Sequence, residues 1–95
     1  GMNELTRIVD IQLGRLERQL AEANLTLQIT DAARKQLAEE GFDPAYGARP
    51  LKRVIQQRLA NPLASALLSQ KVTGGDTVVI DWDGHGFTFQ PSRKS

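Results

Sequence analysis

Between residues 3 and 24 the apolar positions Leu5, Ile8, Val9, Leu13, Leu16 and Leu20 recur at steps of three, one, four, three and four. That spacing draws one apolar stripe along a helix. Gly14 lies inside the pattern and weakens the helix by ~1 kcal/mol relative to alanine, so its missing side chain points to a close approach by a neighbour. Ile11 stands off the stripe, because successive helical residues turn by about 100°. It is either an ordinary exposed isoleucine or a contact to a ligand or to another domain. Leu25-Thr26-Leu27-Gln28-Ile29 then alternates apolar and polar, the mark of a strand with one buried face. Thr30 suits a helix cap and Asp31 a first turn. A second helix is expected over Asp31–Glu40, burying Ala33, Leu37 and Ala38. Gly41 ends it, with Phe42 placed to fold back as the apolar partner of a glycine cap.

Asp43-Pro44-Ala45-Tyr46-Gly47 is turn chemistry. A third helix follows from about Ala48 to Ala60, with Leu51, Val54, Ile55 and Leu59 on its apolar face and Pro50 in its first turn. Asn61-Pro62 repeats the start signal of a cap followed by proline. It predicts a fourth helix from Pro62 to Gln70 that buries Leu63, Leu67 and Leu68. Gly74-Gly75-Asp76 turns the chain into a strand that carries Val78, Ile80 and Trp82 on one face. Asp83-Gly84-His85-Gly86 makes a hairpin turn into Phe87-Thr88-Phe89. The class is α+β, with about four helices packed on three short strands. The folded unit spans residues 3–90, and 91–95 read as a frayed tail. Gly1 before Met2 reads as the scar of a cleaved tag. On that basis the chain is a piece excised from a larger protein, with a small complete protein as the alternative.

The chain has 95 residues, enough for a single domain that removes a little over ~60% of its extended surface from water. Hydrophobic residues make up 40% and charged residues 24%, an ordinary globular composition. The formal charge is +1, so no bulk field draws the chain to nucleic acid or to anionic lipid. With no cysteine and one histidine, a disulfide scaffold, a cysteine nucleophile and a Cys- or His-pair metal site are excluded, and no metal is expected. No apolar run approaches the ~18 residues of a membrane span. A cytoplasmic setting is expected. The GxxxxGK[ST], GxGxxG, HExxH and GxSxG patterns do not occur. His85, between two glycines, reads as a solvated turn residue. Asp81 and Asp83 flank the hairpin as surface carboxylates without the acid partner that catalysis needs.

One segment defies local electrostatics. Gly47-Ala48-Arg49-Pro50-Leu51-Lys52-Arg53 sets three cations where a helix begins, an end already carrying about half a positive charge. Each costs a few tenths to ~1 kcal/mol there. Residues 42–60 hold four basic residues against one acidic, whereas 1–41 hold five against seven. Such a clash is relieved when an anion completes the site. First-turn amides together with Arg49 suit a phosphate, and Gly47 leaves room for it. The alternative is a solvated basic face with Arg49 paired to a local acid such as Asp43.

Tyr46-Gly47-Ala48-Arg49-Pro50-Leu51-Lys52-Arg53 resembles the sensor-2 motif of the Clp-type AAA+ ATPases, and Gly41-Phe42-Asp43-Pro44 is similar to the family's lead-in. Ile8-Val9-Asp10-Ile11-Gln12-Leu13, Asn61-Pro62-Leu63-Ala64 and the Gly75-Asp76 turn also fall where that family has them. The resemblance runs to about Phe89. It is strongest to the small C-terminal domain of the second AAA+ module of ClpB-type protein disaggregases. It implies a lid beside an ATP site whose phosphate-binding lysine, acidic residue and sensor 1 belong to a large domain. By motif match Arg49 is the catalytic sensor-2 arginine that meets the γ-phosphate, with Gly47 and Ala48 shaping its approach. Ile11, or its neighbour Ile8, is the candidate for packing near adenine, and Lys52 and Arg53 could instead face a neighbouring subunit. The implied cofactor is Mg-ATP in the full-length protein, with no tight binding to the isolated domain. The implied partners are the large AAA+ domain of the same chain, the neighbouring subunits of a homohexamer and unfolded or aggregated clients threaded through its pore. The fourth helix and the sheet edge would meet the next subunit. Nucleic acid and membrane are not among the expected partners.

Two readings from other classes compete. A standalone nucleic-acid-binding module would use the basic helix over 48–60, against which stand the near-neutral charge and the few aromatics. A self-associating structural domain would use the unpaired sheet edge.

Overall fold

The computed structural model describes residues 2–92. Gly1 and residues 93–95, and with them the expected tag scar and most of the expected tail, lie outside the described residues. The elements in order are α1 (Met2–Ala21), β1 (Thr26–Ile29), α2 (Asp31–Glu40), α3 (Leu51–Ile55), a π-helical turn (Gln56–Ala60), α4 (Asn61–Leu68), β2 (Thr77–Trp82) and β3 (Phe87–Ser92). The class is α+β, as the patterning implied.

β2 is the central strand. It pairs in parallel with β1, Leu27 opposite Val78 and Ile29 opposite Ile80, and antiparallel with β3, Ile80 opposite Phe89 and Trp82 opposite Phe87. A parallel pair cannot be joined by a tight turn, so the whole helical run from α2 to α4 forms the crossover between β1 and β2. The helices pack on the sheet through one core. Val9, Leu13 and Leu16 of α1 meet Ala33 and Leu37 of α2, Leu51 and Ile55 of α3, Leu59 and Leu63 beyond them, and Val78 and Ile80 of β2. At ~25 cal/mol per Å2 this shared burial, rather than helix propensity, holds the short elements in place.

Local expectations held where one side chain satisfied a backbone group. Thr30 caps α2 by accepting from the Ala33 amide at 3.1 Å. Asp83 accepts from the amides of His85 and Gly86, both at 2.8 Å, and so closes the hairpin turn.

Other expectations need correction. The third and fourth helices form one rod, because Asn61 caps nothing: its backbone is helical (φ −64°, ψ −47°). Its amide donates to the Gln56 carbonyl, five residues back, and its side-chain oxygen accepts from Gln56 Nε2 at 3.0 Å. Pro62 lacks an amide hydrogen and crowds the preceding turn. The widened π turn at Gln56–Ala60 accommodates it without breaking the rod. Leu68 is 87% exposed instead of buried. The chain doubles back after it, with the Lys71 and Val72 amides donating to the Ala66 carbonyl, and Val72 takes the core position. Ile8 leaves the stripe at 39% exposure, since Val9, Leu13 and Leu16 set the buried direction. Gly14 admits no close neighbour: an added Cβ would meet only Arg18 Nη1 at 3.5 Å.

Gly41 does end α2, but not as a left-handed cap. Its φ of −89° is open to any residue, and Phe42 stays 50% exposed. Glycine is needed because Leu51 lies against it, within 2.5 Å of where a Cβ would stand. At the far end β3 continues to Ser92, beyond residue 90, with Pro91 opposite Val78. Proline is tolerated there because β3 is an edge strand.

Candidate functional site

The segment between α2 and α3 is a small self-braced loop. The Asp43 carboxylate accepts from the amides of Ala45 at 2.7 Å and Tyr46 at 2.9 Å. The Asp43 and Gly47 backbones exchange two hydrogen bonds of 2.7 and 2.6 Å, forming an isolated bridge. Closing so short a bridge requires a left-handed residue, and Gly47 supplies it at φ +64°. Among the described residues nothing lies within 4 Å of where a Gly47 Cβ would stand, so they leave the approach to this corner open.

Gly47, Ala48 and Arg49 leave this loop together. The Arg49 amide donates to the Tyr46 carbonyl at 3.3 Å and the Leu51 amide to the Ala48 carbonyl at 3.1 Å. These amides, expected to be free for an anion, are engaged in the turn, which leaves the Arg49 side chain as the exposed donor of this corner. Arg49 is exposed, and its guanidinium carbon lies 5.9 Å from the centre of the Tyr46 ring. A cation–π contact at an exposed site contributes ~0.5–1 kcal/mol, less than a charge-assisted bidentate bond to an anion. Asp43 does not pair with it. Among the described residues Arg49, Lys52 and Arg53 make no ion pair.

The fourth cation of the segment is neutralised within the fold. Arg58 donates to Glu40 through Nε at 2.9 Å and Nη2 at 3.2 Å, and Gln36 Nε2 donates to the same carboxylate at 2.8 Å. The Arg58 guanidinium also lies 5.2 Å from the Phe87 ring centre, tying α2, the π turn and β3 together. Nothing in the sequence pattern announced this pairing across 18 residues.

Ile11 is 51% exposed on α1, off the apolar stripe as its spacing implied. It stands on a different element from the Gly47–Arg49 turn, on a helix whose buried side packs against α3. Ile8, three residues earlier, shares its exposure.

The other titratable candidates serve the fold. Asp81 accepts from the Thr30 hydroxyl at 2.6 Å and from the Trp82 amide at 2.9 Å. The Thr30 bond first, then the Trp82 amide, hold its carboxyl below the usual range. Asp83 is lowered chiefly by the His85 amide and then by that of Gly86. Both carboxylates are acceptors with defined structural partners rather than a poised acid–base pair. His85 is exposed at the hairpin tip. Among the described residues no group of three or more His, Asp or Glu could hold a metal ion, and no helix is long and apolar enough to cross a membrane.

Comparison with known proteins bears on this geometry. The family model for the C-terminal, D2-small domain of ClpB protein matches residues 1–80. Chaperone protein ClpB of Rhodopirellula baltica is 55% identical over 86 residues, which cover 90% of this chain and 10% of that protein. Chaperone protein ClpB 2 of Thermosynechococcus vestitus is 50% identical over 90 residues, covering 95% and 10%. Chaperone protein ClpB of Aquifex aeolicus is 40% identical over 93 residues, covering 98% and 9%. The chain therefore spans about a tenth of the length of the curated relatives it matches. With nearly all of α1 through β2 inside the matched range, the chain belongs to the ClpB D2-small family.

Proposed function

We propose that this domain is the lid of an ATP site in a ClpB-type disaggregase, with Arg49 as its sensor-2 arginine. The observation that carries the reading is a guanidinium at an open corner, on a braced turn, with no carboxylate partner among the described residues. The donor set fits a polyphosphate: a planar cation that can contact two oxygens, beside a glycine that obstructs nothing. ATP, bound with Mg2+ on the large AAA+ domain, supplies the cleavable γ-phosphoryl group. Arg49 reaches that group from the same chain, Gly47 and Ala48 shape the approach, and Ile11 or Ile8 offers an apolar surface toward the base. A cation held where charge develops on phosphate oxygens stabilises the transition state more than the ground state. A lid whose grip depends on the γ-phosphate is released when that phosphate leaves, and this differential contact drives a hinge motion. In a cytoplasmic homohexamer, with neighbouring subunits joined through the small domains, the motion is passed on as threading of aggregated polypeptide. The domain alone is not the catalytic unit.

The test is Arg49→Ala in the full-length protein. Hydrolysis is expected to slow by ~10²-fold, the usual scale for removing one preorganised charge donor. Unchanged turnover together with unchanged nucleotide affinity would leave Arg49 a surface residue and end this reading.

A further inference from the structure

α1 and the α3–π rod enclose a shallow groove of about 270 Å3 whose lining does not include Arg49. Arg15 stands on one wall and Lys52 on the other, and Leu16 and Ile55, 5% and 6% exposed, form the floor. Three glutamines, Gln12, Gln19 and Gln56, complete the lining. Among the described residues no carboxylate lines it. In that respect it differs from two other depressions of similar size, where Asp31 stands with Arg34 and Lys35, and Glu17 with Arg18. Neither Arg15 nor Lys52 makes an ion pair among the described residues, whereas Arg34 and Arg58 are held by Asp10 and Glu40. Like charges facing each other across a cleft focus a positive field into it.

We propose that this groove docks an acidic peptide segment of a protein partner, with carboxylates meeting Arg15 and Lys52 and the Gln12 and Gln19 amides bonding the peptide backbone, Gln56 Nε2 being held by Asn61. The volume is slightly below the ~300 Å3 at which small-molecule pockets begin, so it suits a few side chains rather than a whole cofactor. The floor is aliphatic, and among the described residues no aromatic ring lines the groove on which a base could stack, which favours a peptide over a single-stranded nucleic acid. Glutamine amides both donate and accept, matching a peptide backbone as well as a carboxylate. Arg49 is not part of the lining, so the inference stands apart from the lid reading.

The experiment is an NMR titration of the 15N-labelled chain with hexaglutamate, and in parallel with a single-stranded oligodeoxythymidine. Hexaglutamate is expected to move the side-chain amide signals of Gln12 and Gln19 and the backbone signal of Lys52. Its binding should weaken as salt rises. Arg15→Glu with Lys52→Glu should lower affinity by about tenfold or more, the scale of one lost charge-assisted bond. Lys71→Glu, outside the groove, should stay within about twofold. If charge reversal unfolds the chain, Arg15→Gln with Lys52→Gln carries the same comparison. The proposal is overturned if hexaglutamate leaves the groove signals unmoved, if Lys71→Glu loses as much affinity as the groove pair, or if the oligonucleotide binds there more tightly.

Discussion

Gly14 inside α1 and Gly41 at the end of α2 carry opposite meanings. A Cβ on Gly41 would stand 2.5 Å from Leu51 Cδ1 and 2.9 Å from both the Leu37 carbonyl oxygen and Leu51 Cα. Two of those atoms are backbone, so the clash cannot be relieved by a rotamer change. Gly41→Ala should therefore cost ~1–3 kcal/mol, the range for overpacking a filled core, and lower Tm by several degrees in a thermal melt. Gly14→Ala meets only the flexible end of Arg18 and should gain ~1 kcal/mol from helix propensity. A Gly14→Ala chain that melts lower than the parent would show that close approach at this helix was misjudged. The two positions could not be told apart by pattern, because which glycine faces a neighbour depends on Leu51, ten residues beyond Gly41 in sequence. Arg49 differs again. The octet from Tyr46 to Arg53 resembles the sensor-2 motif, but the freedom of Arg49 from Asp43 could not be read there, since it depends on that carboxylate facing its own loop amides.

Among the elements, the hairpin and the start of α2 are coupled through one side chain. Thr30 caps α2 with its hydroxyl oxygen and donates its proton to Asp81 of β2, so a sheet carboxylate orders a helix cap. Asp81 and Asp83 are both lowered below the ordinary aspartate pKa of ~3.9, first by the Thr30 hydroxyl and the His85 amide respectively. A lowered folded-state pKa means that the unfolded chain takes up protons first. The stabilisation is therefore complete above pH ~4 and is lost as pH falls through the lowered folded-state values. Thermal melts recorded across pH should show a plateau above that point and a decline below it, with Asp81→Asn and Asp83→Asn each flattening part of the decline. An unaltered acid limb in both variants would contradict this assignment. The rod from Leu51 to Leu68 teaches a different lesson. Asn-Pro is a start signal only if the preceding helix can stop, and here Leu59 and Leu63, both fully buried, hold each side of Pro62 to the same core. Burial on both sides outweighs the cost of a widened turn.

For the molecule as a whole, the fold is built on one core, while the chemistry proposed for it needs groups that this sequence does not carry. One core joins every helix to the central strand, and the sheet has two edges, β1 and β3. Purified alone, the 95-residue chain should turn over no ATP and bind it weakly, because the phosphate-loop pattern is not in its sequence. A coupled phosphate-release assay checks this, and sustained turnover by the purified chain would refute the lid reading. Fold class, the cap at Thr30, the hairpin and α2 to the residue could all be read from order and spacing. Each depends on residues within about one turn of one another, where backbone geometry leaves few choices. Several features came only from the folded chain: the parallel pairing of β1 with β2, the single rod, the reversal that exposes Leu68, the Arg58–Glu40 clasp and the basic groove between α1 and α3. They join residues far apart in sequence, and such contacts are decided by how apolar faces fill a common core, a competition that no local spacing encodes.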